Sequence, residues 1–299
     1  MRLRRYVGNP ILKPKPENEW ESKNVFNPSV VYDQGLFHLL YRGMGADGIS
    51  RIGYAVSTDG FNFFRFDKPV FTPKRILEPR GCEDPRIVKI ENRFYMTYTA
   101  YSEKGMRIGL ASTDNFINWQ RHRLEWQEMN NKNAALFPEK INGKYVLLHR
   151  PMDKESVGIW IAYSDNLTEW YGHREVMAPL RDGGWESRKI GAGAPPIRTE
   201  KGWLLIYHGV DEDEAYRLGA AIFCLDDPSK LLYRYPEPIL EPETYYELRG
   251  EVPRVVFACG ACEVKDKYYV YYGGADKVVC VATIDKEEIL GEEISIPSC

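Results

Sequence analysis

The 299-residue chain is 43% apolar and sets 40 Lys and Arg against 43 Asp and Glu, a net charge of -3. It can bury a large core, but it has no cationic excess to hold a phosphate backbone, which argues against nucleic acid as a partner. Arg2, Arg4 and Arg5 run into Pro10, Lys13, Pro14 and Lys15 instead of an unbroken apolar stretch, and no segment reaches the length of a membrane span, so a soluble, cytoplasmic protein is expected.

In chain order, Ser29 to Tyr32, Leu36 to Tyr41 and Ile52 to Ser57 are runs rich in Val, Ile, Tyr and Leu, with Asp33-Gln34-Gly35 turning the first hairpin. This is the strand signature. Asp59 follows, and five residues on comes Phe64, which predicts a fourth strand. The same parts return four more times. The hexamers are Phe37 to Arg42, Phe94 to Thr99, Tyr145 to Arg150, Trp203 to His208 and Tyr268 to Gly273. The aspartates are Asp59, Asp114, Asp165, Asp227 and Asp285, with Phe64, Trp119, Trp170, Leu232 and Leu290 five places on.

Five units of four antiparallel strands predict an all-β, five-bladed β-propeller built as a single catalytic domain over residues 1–299. The spacing exceeds the roughly 40 to 45 residues of WD40 blades, and a β-sandwich is the alternative. Pro10-Ile11-Leu12-Lys13-Pro14 resembles Pro238-Ile239-Leu240-Glu241-Pro242, so the N-terminal segment is expected to complete the last blade and close the ring. Two polar inserts, Arg121 to Lys132 and Asp182 to Gly193, are expected as loops over one mouth. The six cysteines read as small buried residues of a reducing compartment. Cys259 and Cys262 form a CxxC with no second pair or nearby His, so neither metal nor cofactor is expected.

The first strand of each blade lines the axis of a propeller. Polar residues there converge: Asn27 in Phe26-Asn27-Pro28, and Glu83 or Asp84 in Gly81-Cys82-Glu83-Asp84-Pro85-Arg86. Adjacent strand residues point to opposite faces, so one carboxylate is expected to enter, and the following proline aligns Asp84 with Asn27. Arg42, Arg150 and His208 occupy one position of the repeat and, with Lys189, make a cationic cluster suited to an oxyanion.

These motifs, with Tyr41-Arg42-Gly43, Leu148-His149-Arg150, Trp185-Glu186, Lys189-Ile190-Gly191, Tyr207-His208-Gly209, Tyr216-Arg217-Leu218-Gly219 and Tyr272-Gly273-Gly274-Ala275-Asp276, occur in order from end to end. Together they resemble the family-130 glycoside phosphorylases and hydrolases acting on β-mannosides, whose members are five-bladed propellers. The resemblance implies that Asp84 is the sole general acid. It implies that Asn27, Arg42 and Asp276 grip the mannosyl unit, that Arg86 orients the acid beside the substrate, and that Arg150, Lys189 and His208 hold inorganic phosphate.

The expected reaction is inverting phosphorolysis of β-linked manno-oligosaccharides to α-D-mannose 1-phosphate and a shortened sugar, with β-1,2 linkages favoured slightly over β-1,4. A hydrolase of the same family and a non-catalytic sugar-binding propeller are the rivals. Arg254, in Val252-Pro253-Arg254-Val255-Val256-Phe257, departs from the Asn expected there; it either alters the acceptor subsite or faces solvent. Tyr245 and Tyr246 mark one candidate surface for a homo-oligomer, with scattered surface apolar residues as the plainer reading.

Overall fold

The computed structural model describes residues 1–74, 78–125, 130–152 and 157–291. After a short N-terminal strand, β1 (Arg4–Arg5), the strands fall into five consecutive units. The first holds β2 (Asn24–Asp33), β3 (Leu36–Met44), β4 (Ser50–Ser57) and β5 (Phe64–Arg65), and the second β6 (Gly81–Ile90), β7 (Arg93–Ser102), β8 (Gly105–Thr113) and β9 (Gln120–His122). The third holds β10 (Asn131–Leu136), β11 (Tyr145–Pro151), β12 (Ile159–Ser164) and β13 (Tyr171–Met177). In the fourth, β14 (Lys189–Ala192) and β15 (Ile197–Thr199) both pair β16 (Gly202–Val210), followed by β17 (Tyr216–Phe223) and β18 (Leu231–Arg234). The fifth has β19 (Val256–Val264), β20 (Lys267–Gly274) and β21 (Val278–Asp285).

Within each unit the neighbours pair antiparallel in chain order. One parallel pair, Ser50 with Gly81, joins the first two units into a single sheet. The fifth unit takes its outer strand from the other end of the chain: β1 pairs β21 with Arg4 opposite Thr283 and Arg5 opposite Ala282. Leu12 bridges to Val279 beside it. The fourth strand expected after Asp285 is instead a short helix, Lys286–Leu290. Among the described residues no helix is long and apolar enough to cross a membrane.

The expected loops are partly strand: Arg121 and His122 belong to β9, Asn131 and Lys132 to β10, and Lys189 to Ala192 form β14. Residues 126–129 lie outside the described ones. The aspartate repeat also shifts by one residue. Ser57, Thr113 and Ser164 each accept backbone N–H bonds from the second and third residues after them. The side chain that anchors the rest of the turn is then Asp59, Asn115 or Asn166. Either residue type can accept these bonds, so the turn needs an Asx oxygen and not a charge.

Apolar residues form a core between each pair of neighbouring units. Leu40 and Ile52 meet Met96 and Ala111, Val88 and Leu110 meet Leu136 and Ala162, and Ile161 and Val146 meet Leu205 and Ala221. Leu204 and Ile222 meet Val270 and Ala282, while Leu39 and Ala55 meet Tyr271 and Val281, so the last unit packs on the first. Each fully buried Leu, Ile, Val or Phe side chain contributes about 1.5–3 kcal/mol.

A buried polar group recurs near the second strand. Tyr41 donates to Glu21 at 2.7 Å, Tyr207 to Glu186 at 2.6 Å and Tyr272 to Glu247 at 2.8 Å. An arginine meets each of these glutamates: Arg65 at 3.7 Å, Arg234 at 2.7 Å and Arg5 at 2.8 Å, and Arg121 meets Glu78 at 2.7 Å beside Tyr98. The arginines stand opposite Ala55, Ala111, Ala221 and Ala282, whose small side chains leave room for them. In the third unit His149 replaces the tyrosine and contacts Asn131 and His173. Each of these tyrosines, and His149, immediately precedes Arg42, Thr99, Arg150, His208 or Gly273. Alternation along the strand therefore turns those residues to the other face. Cys82, Cys259, Cys262 and Cys280 are free and buried, and Cys224 is buried as well.

Candidate active site

Four inner strands carry a β-bulge at one place. The register slips between Phe26 and Ser29, between Glu83 and Arg86, between Lys132 and Ala135, and between Ala258 and Gly260. Asn27, Asp84 and Asn133 sit there with left-handed backbones, φ 46°, 51° and 56°. Asn and Asp tolerate that conformation better than other non-glycine residues. A bulge suspends strict alternation. Both Glu83 and Asp84 consequently reach the same pocket, correcting the expectation that only one could, and Lys132 enters with Asn133.

The pocket encloses about 150 Å³. A larger groove of about 480 Å³ lies along β8 and β9, but Glu78, its one carboxylate among the described residues, is already held by Arg121. In the smaller pocket charged groups converge from several units. Asn27 Nδ2 donates to Asp84 Oδ1 at 2.8 Å, and Arg42 Nη1 donates to the same oxygen at 3.2 Å. Arg42 Nη2 reaches Glu83 at 2.6 Å, while its Nε is fixed by Ser50 Oγ at 2.7 Å. Asp276, in a left-handed turn between β20 and β21 with φ 50°, completes this side.

Gly273 stands where the other units place Arg42, Thr99, Arg150 and His208. A Cβ on it would lie 2.4 Å from Asn27 Oδ1, so the fifth unit gives up its side chain to let Asn27 through. Gly191 plays the same part for His208, whose Nε2 would be 2.7 Å from an added Cβ.

The opposite side is cationic. Arg150 Nη1 lies 3.4 Å from His208 Nε2, and Asn133 Nδ2 lies 3.2 Å from the same nitrogen. Both are donors, so Nε2 accepts and the imidazole carries its proton on Nδ1. Burial, then Arg150, Arg86, Lys189 and Lys132, hold the His208 pKa well below its usual value, keeping the ring neutral. Lys189 starts β14, with its Nζ 5.1 Å from the ring centre of Tyr216 at the pocket wall. Burial and the neighbouring Arg150, Arg188 and Lys132 bring its pKa down to about 8, and burial brings that of Arg150 down to about 10. Among the described residues, buried Asn27 Oδ1, Arg150 Nε and His208 Nδ1 have no hydrogen-bond partner.

The carboxylates differ. Burial would raise the Asp84 pKa, but Arg42, Arg86 and the Asn27 hydrogen bond outweigh it and hold the group below the ordinary range. Burial raises that of Glu83, and burial raises that of Asp276 to about 6.

Arg86, expected beside the substrate, is placed otherwise. Its Nε donates to Gly193 O at 2.7 Å, Nη2 to Ala192 O at 3.0 Å and Nη1 to Asp84 O at 3.0 Å. It does not line the pocket but ties the Asp84 backbone to the fourth unit. Glu186, in the second polar insert, is committed to Tyr207 and Arg234. Arg254 is exposed at the rim, with φ 61° and its guanidinium donating to the Asp213 carbonyl. Glu83 was set aside by the alternation argument, and Lys132, Asn133 and Tyr216 were not singled out. Their signal was positional: Lys132 faces Arg150 as Glu83 faces Thr99 and Phe26 faces Arg42. No cluster of three or more His, Cys, Asp and Glu able to hold a metal occurs among the described residues.

The profile of glycoside hydrolase family 130, described as β-1,4-mannooligosaccharide phosphorylase, matches residues 2–292. A 1,2-β-oligomannan phosphorylase of Thermoanaerobacter sp. (strain X514) is 50% identical over 97% of this chain and 99% of its own length. A β-1,2-mannobiose phosphorylase of the same organism is 51% identical over 96% and 99%. The structure of β-1,2-mannobiose phosphorylase from Listeria innocua in complex with β-1,2-mannobiose superposes with a TM-score of 0.89 at 32% identity, covering 97% of this chain and 98% of that one. The chain belongs to glycoside hydrolase family 130.

Proposed function

We propose that the protein is a β-1,2-mannoside phosphorylase that converts manno-oligosaccharides and inorganic phosphate into α-D-mannose 1-phosphate and a shortened sugar. The full-length relatives at 50% and 51% identity support β-1,2 over the β-1,4 linkage of the family description. The observation that carries the reaction type is the division of the pocket. Asp84, Glu83 and Asp276 gather on Arg42, while Arg150 and neutral His208 stand together with Lys189 beside Tyr216 at the pocket wall, and Lys132 lies between the two groups.

An inverting hydrolase needs a second carboxylate to activate water. A phosphate dianion needs only cations to hold it, and the mutual repulsion of Arg150, Lys189 and Lys132 is relieved when it arrives. In this reading Asn27, Arg42 and Asp276 hold the mannosyl unit, and Arg150, Lys189 and His208 hold phosphate. A phosphate oxygen attacks the anomeric carbon as the glycosidic C–O bond breaks, and Asp84 supplies the proton that the leaving oxygen needs. The balance closes when the new phosphomonoester returns its proton to Asp84. Asp84 is held ionised in the free site, so it takes up that first proton as phosphate adds negative charge and sugar hydroxyls compete for Arg42 and Asn27. Arg86 serves by fixing the Asp84 backbone.

We also infer that the five units are blades of one closed propeller domain. Three observations support this: β1 completes the fifth sheet, Arg5 repeats the position of Arg65, Arg121 and Arg234, and a core joins the last unit to the first. Incubation with β-1,2- and β-1,4-mannobiose in phosphate buffer tests the substrate assignment. Faster release of mannose 1-phosphate from the β-1,2 isomer is expected, and preference for the β-1,4 isomer would overturn it.

A further inference from the structure

Glu83 has no task in that scheme, yet it sits in the pocket with its side chain only 13% exposed. The bulge that turns Asp84 inward brings Glu83 with it, and one guanidinium bridges the two. Arg42 gives Nη2 to Glu83 at 2.6 Å and Nη1 to Asp84 at 3.2 Å, the shorter contact being to Glu83. Ser50 fixes Nε, so Arg42 cannot swing wholly to either carboxylate without losing a bond.

The cations that face this pair are Arg42 from β3, Arg86 from β6, Lys132 from β10 and Arg150 from β11. Asp276 is the third negative group, and Tyr216 and Cys259 are the other titratable neighbours. Cations thus dominate around Asp84, a poor setting for a residue that must hold a proton to act as an acid. Glu83 is the negative neighbour that opposes them. It repels charge on Asp84 and occupies the arm of Arg42 that would otherwise move towards Asp84.

We propose that Glu83 tunes the acid: by holding one arm of Arg42 and standing as a like charge beside Asp84, it lets Asp84 retain its proton in the loaded site. This makes Glu83 a positioning residue, and it rests on the reading of Asp84 as the general acid. In the free site Glu83 is raised and Asp84 lowered around the same guanidinium, so it is loading of the site that must move the proton preference towards Asp84.

Glu83→Gln keeps the shape and an acceptor for Arg42 but removes the charge. The alkaline limb of the kcat–pH profile is expected to move to lower pH by about one unit, a roughly tenfold loss on the limb, with little loss on its acid side. Glu83→Asp, which keeps the charge but shortens the reach to Arg42, is expected to move the limb the same way by less. An unmoved limb with kcat reduced equally at every pH would make Glu83 merely structural. An unmoved limb with raised mannoside KM would make it a sugar contact; either overturns the proposal. If the Gln variant does not fold, an Asp variant with the wild-type limb overturns it equally. Asp84→Asn separates the two claims. Wild-type turnover in that variant would remove the acid itself, whereas an inactive Asn variant beside an unmoved Gln limb removes only the tuning.

Discussion

Arg5 joins the two ends of the chain, and its replacement by alanine gives the sharpest test of how the fold is held. Glu247 is fully buried and accepts Arg5 Nε at 2.8 Å and Nη2 at 3.0 Å. Removing one partner of a buried pair costs about 3–5 kcal/mol. Tyr272 OH and the backbone N–H groups of Glu243 and Thr244 still serve Glu247, which places the loss near the lower end, about 3 kcal/mol. At about 2–4 °C per kcal/mol for a large domain, the melting temperature should fall by about 6–12 °C. The pH dependence has a definite sign. Burial opposes ionisation of Glu247, but Arg5 and the backbone bonds outweigh it and hold its pKa below the ordinary value. That stability is present above the unfolded-state pKa and is lost as pH falls through the lower folded-state value. The gap between wild type and Arg5→Ala should thus be widest near neutrality and narrow below about pH 4. Thermal melts by circular dichroism at a series of pH values measure it. A loss under about 1 kcal/mol at neutral pH, far below the cost of a broken buried pair, or a gap that widens on acidification, would refute the reasoning.

Gly273→Ala should impair catalysis without touching substrate, because its Cβ displaces Asn27 from Asp84. Displacing Asn27 also costs the hydrogen bond it offers the mannosyl unit, about 0.5–1.5 kcal/mol, which predicts a fall in kcat/KM of about two- to tenfold. Overpacking adds about 1–3 kcal/mol of destabilisation, and wild-type kinetics would refute the clash. Lys189, with a pKa near 8, should lose its charge as pH rises through that value, so KM for phosphate should climb above about pH 8. Lys189→Met should show a high phosphate KM and no such limb; an unchanged limb would assign it to another group.

The repeat was legible because strand pairing and hairpin turns are written locally, as in Asp33-Gln34-Gly35. Its aspartate register was off by one in two units because Asn115 and Asn166 do the work of Asp59, which spacing between charged residues does not reveal. Arg42, Arg150 and His208 could be grouped because repetition puts them in equivalent places, and Asn27 with Asp84 because a proline follows each. Glu83 was misjudged because alternation holds for a regular strand and fails at a bulge, and a bulge is set by pairing with a distant partner strand. Lys132 was hidden at the end of a segment read as a loop, and no proline follows Asn133 to align it with Asn27 and Asp84. Arg86 was placed beside the substrate by its neighbour in sequence, whereas three backbone carbonyls claim it. The Glu–Tyr–Arg groups escaped notice because their members come from separate elements, and in the fifth unit from opposite ends of the chain.

The central claim is that phosphate, and not water, receives the mannosyl group. Phosphorus NMR of the protein acting on β-1,2-mannobiose, with and without inorganic phosphate, tests it most directly. α-Mannose 1-phosphate should form in phosphate, with negligible mannose released in its absence. Phosphate-independent release of mannose at a comparable rate, or formation of the β-anomer, would contradict it.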